Sequence, residues 1–242
     1  MTGQEPPIEA QRTFWNKWNA ATREASIADI SLRQSQVALG WLDAMGRKDL
    51  AIVDVGCGAG WFCGDLQAYG HVTGIDISDA VLERAQERLP DVKFIAGDFM
   101  CLDLQEGAFD VVVSLEVLSH VQDQPAFLSK LARLLKPGGA LIMATQNRPI
   151  LERNSDIPPP APGQIRRWVD SRALRNLLAP HFEIRSLRSL SPKGHGGFLR
   201  FVNSYKVEHV LRAVALDKAA QQVKEWLGLG WTLMVLARKR AA

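Results

Sequence analysis

Two hydrophobic patterns alternate along the chain. Five short, largely apolar runs stand out: Leu50–Val55, His71–Ile77, Val92–Ala96, Phe109–Ser114 and Ala140–Ala144. Between them lie stretches with helical spacing, Trp61–Tyr69, Ala80–Leu89 and Pro125–Leu135. A strand covered on both faces has no polar side, so such runs alternating with helices predict a parallel sheet packed on both faces. Two helices are predicted before the first strand. Gln11–Ala21 carries Phe14, Trp15 and Trp18; Ile30–Met45 repeats Ile30, Val37, Leu39, Trp41 and Leu42, with Gly46 as its stop.

After the fifth run the pattern weakens. Pro158-Pro159-Pro160 and Pro162 mark a loop over about 147–168. A helix over Ser171–Leu178 and a strand over Phe182–Leu190 follow. Next come a glycine turn at Gly194-His195-Gly196-Gly197, a helical insert over Phe198–Leu227 and a strand over Thr232–Ala237. The expected fold class is α/β: a doubly wound, mostly parallel seven-stranded sheet with N-terminal helices and a helical insert before the last strand.

Composition narrows this little. The 242 residues are 47% hydrophobic and 23% charged, ordinary for a globular domain that needs no staple. A net charge of +3 is too small to imply nucleic acid. Cys57, Cys63 and Cys101 are odd in number and lack metal-ligand spacing, so no metal is expected and a reducing, cytoplasmic setting is. Cys63 and Cys101 read as buried thiols. The polar N-terminus predicts no signal peptide, and no apolar run is long enough to predict a transmembrane segment.

The candidate chemistry begins at Val53-Asp54-Val55-Gly56-Cys57-Gly58-Ala59-Gly60-Trp61-Phe62. A glycine turn between strand and helix lets a ligand approach the backbone and the helix's free N–H groups. The dinucleotide pattern Gly-x-Gly-x-x-Gly is not met, because Trp61 holds its third glycine position, and no Gly-Lys-Ser/Thr phosphate loop follows. The turn therefore suits a nucleoside without a pyrophosphate. Asp54 precedes it, Asp76 ends the second strand and can accept both hydroxyls of a ribose, and Asp98 follows the third, where with Phe99 it can frame an adenine.

These pieces, with the segments GIDIS, AGDF, FDVVVSLEVLSHV and LLKPGG, resemble the class I S-adenosylmethionine-dependent methyltransferases, of the small-molecule type related to ubiquinone-biosynthesis methyltransferases. The resemblance covers roughly residues 50–146. It implies S-adenosylmethionine as cofactor, with Gly56, Cys57 and Gly58 along its methionine part and Asp54 near the ammonium. Asp76 would hold the ribose, Ile77 would pack on the adenine, Asp98 and Phe99 would frame its edge, and Leu115 would lie near the methyl. Lys136-Pro137-Gly138-Gly139 would form the turn into the fifth strand. The implied organisation is a single methyltransferase domain, 1–242: an N-terminal helical segment (1–48), a cofactor-binding core (49–146), and acceptor-side elements with a C-terminal hairpin (147–242).

The acceptor is less legible. His120 follows the fourth strand and, with an ordinary pKa near 6.5, is the candidate base. Glu116 and Arg148 are candidate substrate contacts, Arg148 for an acidic group. Trp15 is the candidate lid over the cofactor. Ser119 stands where related sequences often carry Glu. The expected reaction is methyl transfer to an O or N atom of a small-molecule acceptor, by a monomer or homodimer. A non-catalytic cofactor-binding regulator and a macromolecular methyltransferase are the alternatives. The Pro-Pro-aromatic motif of amino-methylating DNA and protein enzymes is missing after the fourth strand, which has Ser114-Leu115-Glu116-Val117, and no nucleic-acid partner is expected.

Overall fold

All seven predicted strands form, and they join one sheet in the order β3-β2-β1-β4-β5-β7-β6 in a computed structural model that describes residues 6–24, 27–153, 157–192 and 217–241. The strands are β1 (Leu50–Val55), β2 (Gly70–Asp76), β3 (Lys93–Ala96), β4 (Phe109–Leu115), β5 (Leu135–Gln146), β6 (Phe182–Pro192) and β7 (Gly230–Lys239). β1 to β5 are mutually parallel, and β7 runs antiparallel to both β5 and β6.

The continuous apolar runs are explained by two cores, one on each face. Val53, Val55, Val112, Leu141 and Met143 face α5 (Gln124–Leu134) and α7 (Ser171–Leu178). Their neighbours Ile52, Val111, Val113 and Ile142 pack on the other face with Ala38 and Leu42 of α2 (Asp29–Met45), Leu66 of α3 (Cys63–Leu66) and Leu82 of α4 (Asp79–Arg88). Each fully buried aliphatic side chain contributes about 1.5–3 kcal/mol. The helices are fixed in place by caps as well: Asp123 accepts the Ala126 N–H at 2.9 Å, and Asp170 accepts that of Ala173 at 2.8 Å.

Several boundaries differ from expectation. α1 runs Ile8–Trp18 and passes into a π-helical turn, Asn19–Arg23. Trp61–Tyr69 is not one helix: Gly60 at φ 69° ends a turn, and only α3 and a 3₁₀ turn at Gln67–Tyr69 follow. β5 begins at Leu135, and Lys136 to Gly139 bulge from it, since Leu135 pairs with Phe109 and Ala140 with Val111. A short helix, α6 (Arg148–Leu151), occupies the start of the predicted loop. The buried face of α2 is Ser31, Gln34, Ser35, Ala38 and Leu42; of the predicted stripe Leu42 is fully buried, while Val37, Leu39 and Trp41 pack against the core only partly buried, and toward the N-terminal half Gln34 instead meets Glu116 just past β4. Cys101 is exposed, where a buried thiol was expected. Of the helical insert, α8 (Asp217–Trp226) is described; the glycine turn with His195 and the rest of the insert lie outside the described residues. Among the described residues no helix is long and apolar enough to cross a membrane.

Candidate active site

Strand order reverses between β1 and β4, which pair with Asp54 beside Val113. Connections leave such neighbours in opposite directions, opening a crevice at their carboxyl ends. A cavity of about 440 Å³ lies there.

Its floor is the glycine turn. Gly56, Gly58 and Gly60 have φ of 79°, 55° and 69°, accessible to glycine at little cost. Space is as restrictive as conformation: a Cβ on Gly56 would stand 2.1 Å from Val117 Cγ2, and one on Gly58 2.9 Å from Asn19 Oδ1. The N–H groups of Gly56 and Cys57 donate to the Ile75 carbonyl at 2.7 and 3.1 Å. Asp76 completes the turn, accepting the Gly58 N–H on Oδ2 and the Ser78 N–H on Oδ1, both at 2.8 Å. Burial raises the Asp76 pKa against these bonds. Each oxygen retains a lone-pair direction after one N–H bond, so Asp76 can still accept from a ligand.

Along the wall, Ile77, Asp98, Phe99 and Leu115 open onto the same cavity. Asp98 accepts the Met100 N–H at 2.9 Å, and Phe99 meets Phe127 edge-on with centroids 5.3 Å apart. Trp15 of α1 lines the cavity and meets the His120 ring at 4.7 Å. His120 Nδ1–H donates to the Ile165 carbonyl at 2.8 Å, which leaves Nε2 as an acceptor. Burial pulls the His120 pKa down to about 4, so the ring is neutral at pH 7 and a weak base. Glu116 lines the cavity too, with burial raising its pKa.

Two predicted contacts are absent from the cavity wall. Asp54 shares the alternation of Ile52 and points beneath the turn, where it accepts the Cys63 thiol at 3.6 Å; burial lifts its pKa to about 7. Arg148 is not among the lining residues and is ion-paired with Asp170. Other groups went unpredicted. Arg23, at the end of the π-helical turn, lines the cavity with its guanidinium over Trp18 and Trp61 at 5.1 and 5.8 Å, and donates to Ser31 Oγ at 2.5 Å. Trp168 and Trp231 also line it. The antiparallel start of β7 at the sheet's carboxyl edge was the one available signal for Trp231.

This fold, a seven-stranded sheet with one antiparallel strand next to the edge and a nucleoside-type turn after β1, is that of the class I S-adenosylmethionine-dependent methyltransferases. Solved structures agree. The chain superimposes on the N-methyltransferase NodS of Bradyrhizobium japonicum, solved with S-adenosyl-L-homocysteine, with a TM-score of 0.66 at 15% identity, covering 96% of this chain and 100% of that one. An S-adenosylmethionine-dependent methyltransferase from Mesorhizobium loti gives a TM-score of 0.59 at 22% identity over 82% of this chain and 96% of that one. Residues 53–143 match the methyltransferase domain family, and the resemblance read from the motifs stands. Among curated proteins it is 40% identical over 107 residues to the ubiquinone biosynthesis O-methyltransferase of Maricaulis maris, covering 42% of each chain. It is 44% identical over 102 residues to the 2-methyl-6-phytyl-1,4-hydroquinone methyltransferase of Synechocystis, covering 40% of this chain and 32% of that one. The matches thus span less than half the length of these curated relatives.

Proposed function

We propose that the protein is an enzyme that transfers the methyl group of S-adenosylmethionine to an N or O atom of a small molecule, leaving S-adenosylhomocysteine, and that residues 1–242 act as one domain. The observation that carries this reading is the convergence of the glycine turn, Asp76, Ile77, Asp98, Phe99 and Leu115 on one cavity at the strand-order reversal.

The residues present fit the cofactor. Asp76 has free lone pairs for a ribose, Ile77 and Phe99 supply apolar faces for an adenine with Asp98 at its edge, and the turn lacks a phosphate loop. Gly56, Cys57, Gly58 and Leu115 would border the methionine part. Arg23, beside Trp61 at the end of the turn, would meet its carboxylate. When bound, S-adenosylmethionine supplies an electrophilic methyl on a cationic sulfur. The chain then has to exclude water and hold the acceptor in line, and orientation of this kind accounts for much of such rate enhancements. Trp15, which lines the cavity from α1, would lie over these groups. His120 offers Nε2 as a hydrogen-bond acceptor, a positioning role that suits a neutral ring better than proton abstraction.

The test is incubation of the protein with methyl-labelled S-adenosylmethionine and a small-molecule extract. Label recovered in a small product supports the reading. Cofactor binding with no transfer to any component would favour the non-catalytic alternative, and label on RNA or protein the macromolecular one.

A further inference from the structure

One charged side chain on the cavity wall has an unfilled position. Glu116 sits just past β4 with φ of 65°, a left-handed conformation unfavourable for any residue with a Cβ. It is fixed there by its N–H, which donates to the Ala144 carbonyl at 2.8 Å. Its side chain is equally fixed: Gln34 Nε2 and the Thr232 hydroxyl both donate to Oε1, each at 2.5 Å. Oε2 has no hydrogen-bond partner among the described residues, and Arg23 reaches the carboxylate only through space. Strain held at a site by converging bonds points to a use for the group so held.

The surroundings suggest the occupant. Trp15, Trp168 and Trp231 line the cavity with Glu116, and His120 adds a neutral nitrogen that can only accept. A carboxylate oxygen, a lone pair and aromatic faces all attract a cation that carries hydrogens. A desolvated carboxylate whose nearest cation, Arg23, makes no hydrogen bond to it is still costly to bury, and a ligand cation bonded to Oε2 offsets that cost.

We propose that the methyl acceptor is an amine, bound as an ammonium with one N–H on Glu116 Oε2 and its charge against the tryptophan faces; to react, it passes that proton to Oε2, and the freed nitrogen lone pair takes the methyl carbon while the electron pair of the broken methyl–sulfur bond stays on sulfur. This rests on the methyltransferase reading above and narrows it from N or O to nitrogen.

The experiment is calorimetric titration of the full chain, first with S-adenosylhomocysteine and then, with that ligand bound, with benzylamine and benzyl alcohol as probes of near-equal shape. The wild type is expected to prefer the amine by at least about tenfold, the scale of one charge-assisted bond. Glu116→Gln should reduce that preference to within about twofold while leaving S-adenosylhomocysteine affinity within about twofold. Thr232→Val keeps the charge but removes one of the two bonds that orient the carboxylate, leaving Gln34 alone on Oε1, and should weaken the amine by roughly three- to tenfold, which decides the matter if Glu116→Gln does not fold. Equal binding of amine and alcohol, no amine binding at millimolar concentration, or an unchanged preference in Glu116→Gln would each overturn the inference. So would a tenfold loss of S-adenosylhomocysteine affinity in that variant, which would assign Glu116 to the cofactor. If the wild type fails to bind S-adenosylhomocysteine at all, the methyltransferase reading itself falls.

Discussion

Gly56 and Val117 set the spacing between the turn that would hold the cofactor and the segment that carries His120, and their contact has a predictable energy. In Gly56→Ala the new Cβ must adopt φ near 79° and stand 2.1 Å from Val117 Cγ2. The conformation costs roughly 1–2 kcal/mol and the overpacking about 1–3 kcal/mol, so a loss of about 2–5 kcal/mol is expected. Val117→Ala alone removes two methyls from a half-buried site and should cost about 1 kcal/mol. In the double variant the clash disappears and only the backbone strain persists. The double-mutant cycle should therefore show a favourable coupling of about 1–3 kcal/mol. Urea unfolding of the four proteins, without ligand, measures it. A coupling under about 0.5 kcal/mol would mean that Val117 does not limit position 56, and would refute the packing described for the turn.

Other outcomes follow from the same geometry. Asp54 has a folded-state pKa of about 7, above its ordinary value, so the native state binds more protons than the unfolded state between about pH 4 and pH 7. Stability from this group is therefore present below about pH 4 and lost as pH rises to about 7; Asp54→Asn should flatten that slope in pH-dependent unfolding, and a slope unchanged by it would count against the buried acid. Arg23→Gln should weaken S-adenosylhomocysteine binding by about tenfold in calorimetry, the loss of one charge-assisted bond; unchanged affinity would free Arg23 from the carboxylate. His120→Ala should lower turnover strongly with cofactor affinity nearly unchanged. Because the folded ring titrates near pH 4, the wild-type rate should show no inflection near pH 6.5 from this residue, and one that disappears in His120→Ala would contradict the neutral ring.

The central strands β1, β4 and β5 were legible because they are buried on both faces, so their apolar runs are nearly unbroken; Ile52 and Val53 feed opposite cores yet look alike in sequence. The glycine turn, Asp76 and Asp98 were legible for a different reason, since each is adjacent to a strand end and local order fixes its place. Asp54 was misplaced although its alternation with Ile52 already pointed it away from the crevice. What the sequence hid is built from distant parts. Glu116 meets Gln34 across 82 residues and Thr232 across 116, and no spacing rule links them. Gln34 on the buried face of α2 belongs to that network, and an apolar stripe could not reveal it. Arg23 was obscured by the π-helical turn, which shifts the register of the helix just before the residue that enters the cavity.

The central claim is that this cavity holds S-adenosylmethionine through Asp76. Calorimetric titration of the wild type and Asp76→Asn with S-adenosylhomocysteine tests it most directly. Loss of two hydrogen bonds to a charged acceptor, about 1.5–3 kcal/mol each, predicts tight saturable binding by the wild type and at least about a hundredfold weaker binding by a variant that melts as a folded protein. No binding by the wild type, or equal affinity in a folded Asp76→Asn variant, would contradict the account.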